Sequence, residues 1–366
     1  MKKTVCVILF GALLIAACAV DVNLVPEIDL PEFNPTPLAI EVPADYPVVP
    51  VPSDNPTTVE GVDLGRKLFY DNILSVDNTM ACASCHLQSN GFAEPLKVSV
   101  GVEEQEGTRN AMNLFNLAYM NRLTWDGTAA SLEEQALEPV RNPLELNLEW
   151  DQAIVKLEES ELYPPLFHSA FGSSEITPDL TTKAIAQFLR TIVSFSSKYD
   201  LILQGGFGLQ FTEAEFDGRD LFFNENGIPG EAECIHCHGG ILFTDNAFHN
   251  NGLDELVSTG DFSDIGLGAI TNTLSDNGKF KSPTLRNIEL TAPYMHDGRF
   301  ATLEEVIDHY SEGVKNSPSL DPLIASPHTN GITLNFNQDE KDGLIAFLKT
   351  LTDTVFINNE AYSNPF

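Results

Sequence analysis

Leu64-Gly-Arg-Lys-Leu-Phe-Tyr70 followed by Cys82-Ala-Ser-Cys85-His86, and Gly218-Arg-Asp-Leu-Phe-Phe223 followed by Cys234-Ile-His-Cys237-His238, write one pattern twice in a chain of 366 residues. Cys-x-x-Cys-His is the attachment signature of a c-type haem: two thioethers hold the porphyrin and the histidine ligates its iron. A four-cysteine zinc site places its pairs within roughly 15–20 residues of each other, whereas 149 positions separate Cys234 from Cys85. Zinc and thiol exchange also leave the histidine after both pairs unexplained. Cys82, Cys85 and His86 are therefore expected to bind one haem, and Cys234, Cys237 and His238 a second.

The repeat runs beyond the motifs. Arg109-Asn110 aligns with Arg286-Asn287, Trp125-Asp126-Gly127 with His296-Asp297-Gly298, and Ser131-Leu132-Glu133-Glu134 with Thr302-Leu303-Glu304-Glu305, in the same order. This predicts two cytochrome c-like haem domains in tandem, made by internal duplication. Helical spacing of apolar residues predicts a helix over 58–70, with Leu64, Leu68 and Phe69 on one face. It predicts another over 180–199, with Ala184, Ile185, Phe188, Leu189, Ile192 and Val193 inside, a third from Thr212, and a last one over 338–351. Strand signals are few and short, so the expected fold is mainly α. Gly205, Gly206 and Gly208 cluster where the halves meet, giving domains 57–204 and 205–356 and a tail 357–366.

Residues 1–17 read as an export leader, with Lys2 and Lys3 before an apolar run from Val5 to Ala17. Ile15-Ala16-Ala17 before Cys18 matches a lipobox, which predicts cleavage before Cys18 and a lipid on its thiol; ordinary cleavage near Ala17 is the other reading. Nine prolines between 19 and 56 predict an extended tether, 18–56, from the lipid to the folded body. With Cys6 lost and Cys18 lipidated, the remaining cysteines all serve haem. No later stretch is apolar enough to span a membrane. The expected product is a periplasm-facing, membrane-anchored lipoprotein. The formal charge of -33 argues against nucleic acid as a partner. It either steers a basic redox partner or only maintains solubility.

The repeat also locates the second axial positions. Seven residues after Leu132 stands Pro139; seven after Leu303 stands Tyr310. Tyrosine can ligate ferric iron through its phenolate, and proline offers no ligand. The second haem is expected to be His238/Tyr310, with Met295, His296 and His309 as rivals to Tyr310. The first is expected to be five-coordinate and open to peroxide. Splitting a peroxide O–O bond needs a group to move a proton between its oxygens and a polar partner to orient it. Glu145 is the candidate acid–base, with Gln135 nearby.

These residues together resemble the bacterial diheme cytochrome c peroxidases, and more closely their MauG-like branch. The resemblance runs from Leu64-Gly-Arg-Lys-Leu-Phe to Leu344-Ile-Ala-Phe-Leu-Lys-Thr-Leu-Thr352, nearly the whole mature body. It implies that Glu145 and Gln135 are the distal glutamate and glutamine of the peroxidatic haem, that Pro139 is MauG's distal proline, and that Trp125 relays holes between the haems. It further implies an inter-haem calcium ion on Asn110 and the carbonyls of Thr291 and Pro293, a set of hard oxygen ligands. Ordinary peroxidases of the family commonly carry methionine where Tyr310 stands. Many also close the peroxidatic haem with a loop histidine, which the matching loop, 98–106, lacks.

The expected function is that of a peroxidase reducing hydrogen peroxide with electrons from a cytochrome c or cupredoxin. One alternative is a MauG-like enzyme oxidising Trp or Tyr residues of a dedicated partner protein. Another is a diheme electron carrier, against which the Pro139/Tyr310 asymmetry argues.

Overall fold

The computed structural model describes residues 32–206, 208–225, 232, 234–325 and 333–366. The expected leader, Cys6 and Cys18 lie outside the described residues. The fold is mainly α-helical. In order come α1 (Val59–Tyr70), α2 (Cys82–Cys85), α3 (Leu132–Arg141), α4 (Trp150–Glu159), α5 (Tyr163–Phe171), α6 (Pro178–Thr191), α7 (Lys198–Leu203), α8 (Glu213–Phe223), α9 (Gly268–Thr271), α10 (Leu303–Asp308) and α11 (Gln338–Lys349). Two short strands, β1 (Phe248–His249) and β2 (Phe280–Lys281), pair antiparallel, with Phe248 opposite Lys281.

Side-chain caps set the helix starts, because the first N–H groups of a helix lack intrahelical partners. Thr58 accepts from Gly61 N at the start of α1. Capping boxes open α8 (Thr212 with Glu215), α10 (Thr302 with Glu305) and α11 (Asn337 with Glu340). The helix expected over 180–199 is instead two. α6 ends at Thr191, and α7 begins after its own cap, Ser197. Between them Asn116 takes over the backbone: its N–H donates to Ile192 O (2.8 Å), and its Oδ1 accepts from Ser194 N (3.0 Å). The apolar period carries on through Ile192, but these side-chain bonds outcompete the helix there.

Each half repeats one helix crossing. α1 packs across α6, and α8 across α11. A Cβ on Gly65 would fall 1.9 Å from Ala184 O, and one on Gly218 1.8 Å from Gly343 O. Only glycine permits such approach. Phe69 sits with Phe92 and Phe188 in the first core, as Phe222 sits with Phe243 and Phe347 in the second. The chain end returns to the first core, where Phe356 and Tyr362 are buried and Arg66 Nε donates to Ser363 O (2.6 Å). The described part of the proline-rich segment is packed too: Tyr119 Oη donates to Pro47 O (2.8 Å) and Arg190 Nη1 to Asn55 O (3.1 Å).

The structure corrects one detail of the repeat. Asn287 corresponds to Asn116 rather than Asn110. Both adopt a left-handed backbone (φ 55° and 57°), and both donate to the segment after the last helix of their half, Leu351 O and Ile192 O. Trp125 then stands as far from Asn116 as His296 from Asn287. Leu123 N donates to Ala129 O as Tyr294 N does to Phe300 O. On this register Asn110 corresponds to Lys281, and the halves meet about a pseudo-twofold: Asn110 N donates to His296 O, and Lys281 N to Trp125 O, each at 2.8 Å.

Gly65→Ala and Gly218→Ala should each lower stability by roughly 1–3 kcal/mol or more, the usual cost of overpacking. Denaturant titration of each variant checks this, and an unchanged midpoint in both would mean that the crossing relaxes freely.

Candidate functional site

Each Cys-x-x-Cys-His segment forms a tight turn. His86 N donates to Cys82 O (3.0 Å) and His238 N to Cys234 O (2.8 Å), which sets the histidine a turn beyond the first cysteine. His86 Nδ1 donates to Phe92 O (2.8 Å). His238 Nδ1 lies 3.3 Å from Phe243 O and 3.2 Å from Pro283 O. A carbonyl can only accept, so Nδ1 carries the proton in both rings and Nε2 keeps a free lone pair. That is the arrangement of a metal-binding histidine. Burial holds His86 below the ordinary histidine range and His238 down to about 4, so both stay neutral, as ligation requires.

Cys82, Cys85, Cys234 and Cys237 are unpaired. Burial pushes the thiols of Cys82, Cys85 and Cys234 up to about 12. They are poor thiolates, which disfavours thiol exchange. The second motif opens into a largely apolar cavity of about 260 Å³, lined by Cys234, Cys237 and His238, by Leu285, Leu303 and Leu344, and by Tyr310. Its apolar walls and its free cysteines fit a c-type haem.

Tyr310 projects from a π turn, His309–Gly313, that continues α10. Such one-residue insertions re-aim side chains and recur at functional sites. Burial raises its phenol to about 12, and a hydrogen bond from Asn251 works against that rise. Asn251 Nδ2 lies 3.2 Å from Tyr310 Oη and 3.4 Å from Met295 Sδ. Of the rival ligands, His309 is turned away, its Nε2 donating to Asn251 O (3.0 Å), and His296 stacks on Phe280 at 3.6 Å. Met295 faces the same cavity as Tyr310.

In the first half, α3 carries Gln135 and Pro139 one turn apart, without a π turn. The turn after it brings Glu145 back, with Glu145 N donating to Asn142 O (2.9 Å) and Asn142 Nδ2 donating to Glu145 Oε1 (2.7 Å). Burial raises the Glu145 carboxyl; the Asn142 bond opposes this and the Glu138 charge adds to it. Its charge in turn raises both Cys82 and Cys85, so it stands beside the first motif. The loop 98–106 is anchored here: Val102 N donates to Glu145 O (2.9 Å), and a Cβ on Gly101 would fall 2.2 Å from Leu144 O.

Trp125 lies at the seam between the halves and lines the second cavity, its Nε1 donating to Asn110 O (2.9 Å). Asn110, Thr291 and Pro293 line the same cavity. Asn110 Nδ2 donates to Leu96 O (3.0 Å), which leaves Oδ1 for a cation.

Four residues escaped the sequence reading: Asn251, Lys281, Glu94 and His249. Glu94 is buried beside Cys85, takes the Ser99 hydroxyl proton and is raised by burial. His249 bridges Asp321 (2.7 Å) and Asp245 (2.8 Å). Only the correspondence of Glu94 with Asp245, eight and seven residues after the motif histidines, was visible beforehand.

A family model described as di-haem cytochrome c peroxidase matches residues 59–206. The chain is 37% identical over 306 residues to the methylamine utilization protein MauG of Methylorubrum extorquens, covering 83% of this chain and 81% of that one. It is 34% identical to the cytochrome c551 peroxidase of Nitrosomonas europaea, with 84% and 85% covered. Among solved structures, a MauG-like protein associated with microbial copper homeostasis superposes with a TM-score of 0.76 at 38% identity, over 93% of this chain and 99% of that one.

Replacing both Cys234 and Cys237 with Ala should leave the first haem attached and reduce covalent haem per chain by about half. The pyridine haemochrome assay reads this directly; a full complement would mean that the pair is not an attachment site.

Proposed function

The chain belongs to the bacterial di-haem cytochrome c peroxidase and MauG-like family, and we propose that it activates hydrogen peroxide at the Cys82/Cys85/His86 haem and passes oxidising equivalents to the Cys234/Cys237/His238 haem. It is an oxidoreductase of peroxidase type. The observation that carries the assignment of sites is the asymmetry of equivalent positions, Pro139 within α3 against Tyr310 in its π turn. Pro139 would offer no ligand to an iron held by the first motif, whereas the Tyr310 phenol oxygen would be available to one held by the second.

A c-type haem whose iron has an open face supplies the two-electron cleavage of the peroxide O–O bond. This chain's residues supply the rest. Glu145 takes the proton from one peroxide oxygen and returns it to the departing one as water, for which a carboxyl raised by burial is suited. Gln135, on the same helix as Pro139, orients the bound peroxide. Val102, docked on Glu145 O, holds the loop 98–106 beside the site without offering a ligand. Trp125, at the seam, spans the way to the second haem. Tyr310, with Asn251 donating to its phenol oxygen, would cap the iron of that haem. Asn110 Oδ1 and the carbonyls of Thr291 and Pro293 would be the oxygen ligands of a calcium ion between the halves.

The final electrons come from an external redox protein, a cytochrome c or cupredoxin. A second reading, oxidation of Trp or Tyr residues on a partner protein, is favoured by the tyrosine at 310 and by the likeness to MauG and to the MauG-like copper-associated structure. The pure electron carrier has nothing to support it beyond the haem motifs. The exported, lipid-anchored location rests on Cys18 and its leader. No helix among the described residues is long and apolar enough to cross a membrane.

Stopped-flow addition of peroxide to the diferric protein tests the proposal. Glu145→Gln should slow the reaction by roughly 10²–10⁴-fold; an unchanged rate removes Glu145 from the role. As a base, Glu145 must be ionised, so the wild-type rate should fall as pH drops through a value above the ordinary carboxylate range, and this limb should vanish in Glu145→Gln. Tyr310→Phe should change the low-spin ferric spectrum of the second haem; an unaltered spectrum would return the ligand to Met295.

A further inference from the structure

The cavity at the second motif contains one charge that its surroundings do not balance. Lys281, on β2, is 4% exposed. Among the described residues it is the one lysine or arginine lining the cavity, and no carboxylate lines it. Its Nζ lies 3.5 Å from Met120 Sδ, a weak acceptor, and makes no ion pair among the described residues. The carboxylate nearest in effect, Asp245, is bound to His249 Nε2 at 2.8 Å. Burial pushes the amine down to about 8. Ammonium groups are almost never buried without a partner, because lost hydration is not replaced.

The backbone holds Lys281 firmly. Its N–H donates to Trp125 O, and β2 pairs it with Phe248. The side chain is therefore presented at the seam, beside Met120 and the Trp125 backbone of the first half. Its pseudo-twofold counterpart is Asn110, the residue that offers an oxygen toward a cation. One half thus has an oxygen at this locus and the other has a cation of its own.

We propose that Lys281 is the counter-ion of a haem propionate at the seam. A haem brings carboxylates into a cavity whose described lining has no other lysine or arginine. The ammonium lacks an acceptor and the propionate lacks a donor, so each satisfies the other in a charge-assisted hydrogen bond. Both haems present propionates, and either could be the source. The ammonium favours the reduced state of the iron whose propionate it neutralises, since reduction adds negative charge nearby. The inference rests on the haem assignment of the preceding subsection.

The experiment is spectroelectrochemical titration of the di-haem holoprotein, with each haem followed by its own ferric spectrum. Lys281→Met should lower the midpoint potential of one haem, and Lys281→Arg, which keeps the charge, should stay near wild type. A shift of the low-spin haem identifies the second haem as the source of the propionate, and a shift of the high-spin haem the first. If pyridine haemochrome shows both haems present and neither potential moves in Lys281→Met, the inference falls while the haem assignment stands. If Lys281→Met changes the spin state of a haem, the amine is an iron ligand and the inference also falls. Should Lys281→Met fail to mature, a crystal structure of the wild-type holoprotein decides. A propionate oxygen within hydrogen-bond distance of Nζ supports the inference; an ammonium facing only protein or water overturns it.

Discussion

At Gly65 and Gly218 two helices cross with no room for a side chain, and both haem motifs hang from that contact. The crossing fixes the floor of each core: Phe69 and Phe222 reach from the first helix of their halves to Phe188 and Phe347 on the last. The aromatic residue after the motif, Phe92 or Phe243, joins the same stack. Its carbonyl receives the motif histidine's Nδ1 proton. Tautomer and ring orientation are therefore set by core packing, through the Phe92 carbonyl in the first half and through those of Phe243 and Pro283 in the second. A buried bidentate pair ties the halves together: Arg286 meets Asp200 at 2.8 and 2.9 Å. Burial alone would raise the Asp200 carboxyl, and the Arg286 bonds and charge more than reverse it. Removing either partner would strand a buried charge.

On that shared frame, function depends on where the copies differ. α3 runs as regular helix through Pro139, whereas the helix after Thr302 breaks into a π turn at His309. The insertion turns Tyr310 into the cavity and frees Ser311 O to accept from Leu334 N and Asn335 N, each at 2.8 Å. His309 and Tyr310 both end on Asn251, one at its carbonyl and one at its amide. The loop after β1 is thereby locked to the π turn from two sides.

Much of this was legible from residue order. The Cys-x-x-Cys-His pairs, the caps at Thr58, Thr212 and Thr302, and the equivalence of Pro139 with Tyr310 all rest on local spacing. The failures were of other kinds. The single helix expected over 180–199 overlooked Asn116, which is remote in sequence and competes for the backbone at Ile192. The pairing of Asn110 with Asn287 took a two-residue identity over a spacing mismatch; the left-handed backbone at Asn116 and Asn287 decides otherwise. Asn251 and Lys281 carry no motif. Their significance lies in what the fold leaves around them, a phenol oxygen in one case and, among the described residues, no carboxylate paired with the amine in the other.

The corrected register changes how the seam is understood. Paired with Asn287, Asn110 would be one member of a repeated asparagine. Paired with Lys281, it becomes one of two inequivalent answers to the same electrostatic problem. A haem on each motif would bring propionates into a region of low dielectric, where like charges repel strongly. The chain is too acidic overall, at -33, for general surface charge to relieve them. Relief must come from groups held at the seam itself. The neutral amide at 110 can only recruit a cation, whereas the lysine at 281 is one. An exchangeable cation on one side and a permanent one on the other would make the two haem environments unequal even where the backbone is the same. That inequality points the same way as Pro139 and Tyr310: two copies of one domain, given different electrochemical tasks by a few side chains.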